Sequence, residues 1–109
     1  MLTTTQPLIR SWLYVPGQRE RMIQKSFELT ADAVIYDLED AVPIAEKQAA
    51  RDLLALYLTA PASPGGPRRF VRLNHPSHIE MFEADLACAV GLSVEGIGLP
   101  KVETADEIH

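Results

Sequence analysis

Apolar residues fall into short blocks separated by segments with helical spacing, and this alternation predicts the architecture. Trp12-Leu-Tyr-Val15 is an apolar run stopped by the turn signal Pro16-Gly17. Arg19 to Leu29 reads as a helix with Met22, Ile23, Ser26 and Phe27 on one face. Ala33 to Leu38 reads as a second strand. Ala45 to Leu58 reads as a second helix, in which Ala49, Leu53, Leu56 and Tyr57 keep the spacing of a buried stripe. The stretch Ala60-Pro-Ala-Ser-Pro-Gly-Gly-Pro67 supports neither helix nor strand and is a loop. Beyond it, Arg69 to Asn74 is a third strand, and Ile79, Phe82, Leu86 and Val90 mark a third helix. Val94 to Leu99 is a fourth strand ended by Pro100. Thr104 as N-cap and Glu107 three places on form a capping box, the first turn of a fourth helix. Strand and helix signals return at intervals of roughly 25 to 35 residues, the rhythm of parallel βα units.

Composition narrows the class. With 109 residues, 47% hydrophobic and 23% charged, the chain reads as one soluble globular domain over residues 1–109. A net charge of −5 argues against a nucleic-acid partner, which calls for a basic face. No apolar run approaches the roughly 20 residues needed to span a bilayer, so no membrane association is expected. The start Met-Leu-Thr-Thr-Thr-Gln-Pro7 lacks the basic and apolar regions of a secretory signal. The single cysteine, Cys88, lies in an apolar helical pattern and reads as an inert core thiol. The expected location is the cytoplasm.

The candidate chemistry gathers where strands end. Val34-Ile-Tyr-Asp-Leu-Glu-Asp-Ala-Val42 reads as a buried strand that delivers Asp37, Glu39 and Asp40 at its end. Like charges this close raise each other's pKa unless a metal, a cation or solvent compensates them. A solvated loop whose acids cap the next helix accounts for the same residues. In parallel βα architectures the active groups sit at the carboxyl ends of the strands. Each strand here has a polar or turn signature there: Pro16-Gly17, Glu39-Asp40, Arg72 with Asn74, and Lys101 with Glu103. Arg72 alternates with Val71 and Leu73, so its permanently charged guanidinium points to the opposite face and demands an anion. That anion is a bound carboxylate, gripped by two parallel hydrogen bonds, or Glu39 or Asp40 of this chain. Asn74 is placed to orient a carbonyl or a water, or simply to turn the chain. Arg19, Arg21 and Lys25 near a helix N-terminus read as an anion site or as a solvated charged face. His75 precedes Pro76 and is extended, and no His or Cys stands at metal-ligand spacing.

Arg10-Ser-Trp-Leu-Tyr-Val-Pro-Gly17, Ala31-Asp-Ala-Val-Ile-Tyr-Asp-Leu-Glu-Asp-Ala-Val42, Val71-Arg-Leu-Asn74 and Gly96-Ile-Gly-Leu-Pro-Lys-Val-Glu103 occur in this order. Together they resemble the successive signatures of the citrate lyase β-subunit-like branch of the HpcH/HpaI aldolase superfamily, from about Arg10 to the last residue. The resemblance implies an α/β fold, the N-terminal half of a (β/α)8 TIM barrel with about four βα units, truncated relative to the much longer family members. It implies a Mg2+-dependent lyase that cleaves or forms a C–C bond beside a carbonyl, on a hydroxy-acyl-CoA such as citryl-CoA or malyl-CoA. Arg72 then matches the arginine that holds the keto-acid carboxylate and stabilises the enolate, with Asn74 beside it. Asp37, Glu39 and Asp40 fall near the metal and its waters, and Arg19 and Lys25 become candidate contacts for CoA phosphates. The direct metal ligands of the family, a Glu and an Asp, come from strands after the fourth, beyond His109. Glu103 is not that Glu. Implied partners are a small carboxylate or CoA thioester, and a further copy, a complementary half or a full-length paralogue joined through open strand edges. The alternative is a non-catalytic half-barrel remnant that binds a small carboxylate or associates with such a paralogue. An aldolase of the pyruvate-enolate type fits the Asp37-Leu-Glu-Asp40 segment less well.

Overall fold

Four short strands lie side by side in chain order. The computed structural model describes residues 11–99; the expected turn of helix from Thr104 and the strand-end residues Lys101 and Glu103 lie outside them. Strands β1 (Trp12–Pro16), β2 (Ala33–Asp37), β3 (Arg68–Arg72) and β4 (Gly96–Gly98) form one parallel sheet in the order β1-β2-β3-β4. Parallel neighbours require crossovers. These are made by α1 (Glu20–Ser26), α2 (Lys47–Leu58) and α3 (Ile79–Ala89), with a 3-10 turn at Ile44–Glu46 leading into α2.

All three helices pack on one face of the sheet. Alternation along the strands sends Val15, Val34, Tyr36 and Val71 into a core shared with Ile23 of α1, Ala50, Leu54 and Leu58 of α2, and Ala89 of α3. The other face carries Trp12, Tyr14, Ile35 and Phe70, and Trp12 and Tyr14 are 48% and 52% exposed. Parallel sheets are normally covered on both faces, so this layout resembles a section of barrel wall rather than a doubly wound sheet.

The helices differ from the sequence reading in length and in rotation. The regular part of α1 stops at Ser26 rather than Leu29. Phe27, Glu28 and Leu29 instead close three-residue turns onto the carbonyls of Gln24, Lys25 and Ser26, a tightening common at helix ends. In α2 the buried stripe is Lys47, Ala50, Leu54 and Leu58, not Ala49, Leu53, Leu56 and Tyr57. Leu53 and Tyr57 flank the core, while Leu56 is 68% exposed. From Leu53 to Leu58 every residue of this helix is apolar, so periodicity alone could not choose its face. In α3, Ile79 and Val90 point outward and Phe82 packs on the core, while Asp85 and Ala89 are the buried positions. An internal ion pair of Asp85, described below, sets that rotation.

The β1–α1 turn is tightly fitted. The Gly17 amide donates to the Asp37 carbonyl at 2.8 Å, and a Cβ at position 17 would sit 2.8 Å from that same oxygen and 3.2 Å from Leu38. Gly17→Ala is therefore expected to lower stability by about 1–3 kcal/mol, the usual cost of forcing extra volume into a packed site. Urea denaturation of this chain measures it, and a variant as stable as the parent would show that the turn can move aside.

Candidate active site

The strand register brings the sequence-predicted residues into one row. Pro16 pairs with Asp37, Asp37 with Arg72, and Arg72 with Gly98, so the carboxyl ends of all four strands meet along a line on the bare face. Arg72 donates from Nε to Asp37 Oδ1 and from Nη2 to Asp37 Oδ2, both at 2.9 Å, a two-bond fork. Its guanidinium also lies 5.2 Å from the centre of the Tyr14 ring and 3.8 Å from Glu39 Oε1. The internal anion for Arg72 is thus Asp37, with Glu39 more distant and Asp40 exposed on the loop. The sequence reading names Glu39 or Asp40, not Asp37, as the internal partner. Parallel register instead sets Asp37 directly opposite Arg72 on the same face.

Asp37 also accepts from the amides of Glu39 at 2.9 Å and Ala41 at 2.8 Å. Burial works to raise its pKa, but the Arg72 bonds, the two amides and the arginine charge outweigh it and hold the carboxyl below its ordinary value. The same fork pushes the Arg72 guanidinium further up, against its partial burial.

Arg72 keeps N–H groups beyond the two spent on Asp37. They border an open trough of about 220 Å³ lined by Trp12, Tyr14, Ile35, Phe70 and Ile97. Gly98, opposite Arg72, has nothing within 4 Å of where a Cβ would stand, so the space beside the guanidinium stays clear. An apolar trough with one oriented cation at its end suits a small carboxylate carrying an apolar body.

Other expectations land differently. Asn74 is 3% exposed, and its amide nitrogen donates to the Leu38 carbonyl at 2.9 Å and to Asp85 Oδ2. Its side-chain nitrogen is thus engaged inside the protein. Lys25 lies in the last turn of α1, at the end away from Arg19, so the two do not share a helix N-terminus. This corrects the placement of Lys25 with Arg19 and Arg21 near a helix N-terminus. Cys88 is half-buried, its thiol raised by burial, as expected of an inert position. Sequence reasoning missed Lys47, Arg51 and Asp85. Arg51 Nη1 meets Asp85 Oδ1 at 2.8 Å, and Asp85 is wholly buried. The available signal was phase: Asp85 falls between Phe82 and Ala89 on one helical face, and Lys47 stands in step with Ala50, Leu54 and Leu58. Gln18 was missed too. It donates from Nε2 to the Ala41 carbonyl at 3.1 Å, tying the β1–α1 turn to the acidic loop, and its buried Oε1 has no partner among the described residues.

No group of three or more His, Cys, Asp or Glu among the described residues could hold a metal ion. Asp37 is committed to four donors and Glu39 stands by itself beside Arg72, so these residues do not make up a magnesium site. Nor is any helix among the described residues long and apolar enough to cross a membrane.

The HpcH/HpaI aldolase/citrate lyase family matches residues 10–109. The chain belongs to that family. Within it, a (3S)-malyl-CoA thioesterase of Cereibacter sphaeroides is 43% identical over 100 residues, 92% of this chain and 34% of the relative. The citrate lyase β subunit of Mycobacterium tuberculosis, solved with oxaloacetate and magnesium, superimposes with a TM-score of 0.68 at 34% identity, over 89% of this chain and 40% of that one. The CitE protein of the same organism, solved with magnesium, acetoacetate and coenzyme A, gives the same TM-score and identity over 34% of its length. The chain spans about a third of these family members. Its described fold, a parallel four-stranded sheet with three helices, is a portion of their barrel-like α/β architecture, and the family as a whole supports CoA-related lyase or hydrolase chemistry with Mg2+.

Because Asp37 titrates below its ordinary value of about 3.9 when folded, the stability it contributes is present above that pH and lost as pH falls through the folded-state value. Asp37→Asn should cost roughly 1–3 kcal/mol at neutral pH, the range for hydrogen bonds to a charged group. The gap between variant and parent should start to narrow as pH falls below about 4 and close only once pH passes the lower folded-state value. Urea denaturation across that range tests this, and a pH-independent gap would place the stabilisation elsewhere.

Proposed function

We propose that this chain contributes the carboxylate-binding portion of a magnesium-dependent carbon–carbon lyase. Its substrate is a hydroxy-acyl-CoA of the citryl-CoA or malyl-CoA kind, cleaved or formed through an enolate. The observation that carries the proposal is Arg72, fixed by the Asp37 fork at the end of an open apolar trough with donors to spare. A guanidinium already oriented pays little reorganisation when charge develops on the keto-acid half, which is how a preorganised donor lowers a barrier. Glu39, near Arg72, would be available to the waters of a metal held by other residues. The metal takes its direct ligands from residues outside the described ones, and the remaining strands come from a longer chain or a partner. The 43% identity to a malyl-CoA thioesterase favours a second reading, hydrolysis of the thioester with the same arginine holding the acid. The bare sheet face and open edges favour a third, a non-catalytic module that associates with a full-length paralogue.

Residues 1–109 joined to the C-terminal portion of the Cereibacter sphaeroides relative provide the test, assayed on malyl-CoA with Mg2+. A keto acid and an acyl-CoA are the expected products, with Arg72→Ala lowering kcat/KM by roughly 10²–10³-fold, as for loss of one stabilising donor. Free CoA with intact hydroxy acid selects hydrolysis. A folded chimera with neither activity selects the association reading, and an unchanged rate in Arg72→Ala removes that residue from the role.

A further inference from the structure

Lys47 opens α2 and is 6% exposed, yet no carboxylate among the described residues lies in salt-bridge contact with it. Its Nζ donates instead to the main-chain carbonyls of Leu38 and Glu39, each at 2.9 Å. Burying an ammonium against carbonyls alone is costly, and an apolar side chain would continue the stripe of Ala50, Leu54 and Leu58. Burial accordingly draws the Lys47 pKa down, opposed by the more distant charges of Asp85, Glu39 and Asp37.

The Leu38 carbonyl takes a second bond, from Asn74 Nδ2 at 2.9 Å. Asn74 is held in turn by Asp85 Oδ2, which also accepts the Asn74 amide at 2.8 Å, and Asp85 is locked by Arg51 of α2. One carbonyl between Asp37 and Glu39 therefore anchors both sides of the site: the acidic loop through Lys47, and the strand bearing Arg72 through Asn74, two residues on.

We propose that Lys47 is a positioning residue for this site, acting through the Leu38 and Glu39 carbonyls, with the Asn74–Asp85–Arg51 relay fixing the opposite side. The proposal rests on the reading that Arg72 and Glu39 serve the reaction. Two measurements separate its failure from the failure of that reading. The first uses this chain alone and follows amide hydrogen exchange and the Arg72 Nε resonance in Lys47→Met and in the milder Lys47→Gln. The amides of Glu39 and Ala41 should exchange at least about tenfold faster, as for a local opening, with Val34, Tyr36 and Val71 unchanged and the Arg72 resonance shifted. The second uses the active chimera well below its unfolding temperature. There Lys47→Met should lower kcat by roughly 10²-fold, the scale of a small misplacement of reacting groups, with KM little changed and Lys47→Gln intermediate. Unchanged exchange at Glu39 and Ala41, or wild-type kcat in either folded variant, overturns the proposal. If Lys47→Met does not fold, Lys47→Gln decides by the same criteria. If the parent chimera is inactive, the exchange result still decides the positioning claim while the functional reading falls.

Discussion

The carboxylate of Asp37 is the constraint on which the carboxyl end of the sheet depends. It accepts two bonds from Arg72 across the strand pair and two from the amides of its own outgoing loop. One charged group thereby fixes where the arginine points and how the chain turns after β2. Charge-assisted bonds of this kind are roughly twice as strong as neutral ones, and buried donors left without such an acceptor carry the full desolvation cost. The loop curls back because Asp37 lies beneath it, and the Gly17 amide then seats on the Asp37 carbonyl.

This arrangement divides labour between charges. Arg72 is neutralised on one side and open on the other, so the trough presents a directed donor rather than a loose positive field. Lys47 and Asp85 lie behind the sheet, where Asp85 is met by Arg51 and Lys47 by the Leu38 and Glu39 carbonyls. The charged groups thus separate into a set on the bare face of the sheet and a set on its helix-covered face, according to which face of strand or helix each occupies.

Much of this could be read in the sequence because it follows from alternation and turn chemistry. Val34, Tyr36 and Val71 are buried where a period of two puts them, and Pro16-Gly17 ends β1. Arg72 stood out as a cation in step with the wrong face for a core. The choices between equivalent faces were not legible. In α2 the stripe through Leu53 and Tyr57 and the stripe through Leu54 and Leu58 are both apolar, and Lys47, bonded to carbonyls nine and eight residues back, lies in step with the second. The roles of Asp37 and Asn74 depended on register and on a third helix, neither of which local pattern encodes.

In this sheet, spatial order equals chain order: every strand after the first neighbours the one before it, and among the described residues no segment returns to pair across the whole. Each closed loop is a single crossover, so ordering β2 on β1 does not await β3 or β4, and loop-closure entropy is met in similar small instalments. Such a wall can be assembled one βα unit at a time as the chain leaves the ribosome. Damage in β4 should loosen its pairing with β3 while β1 and β2 remain paired, as one plank of a fence can fall without moving those further along.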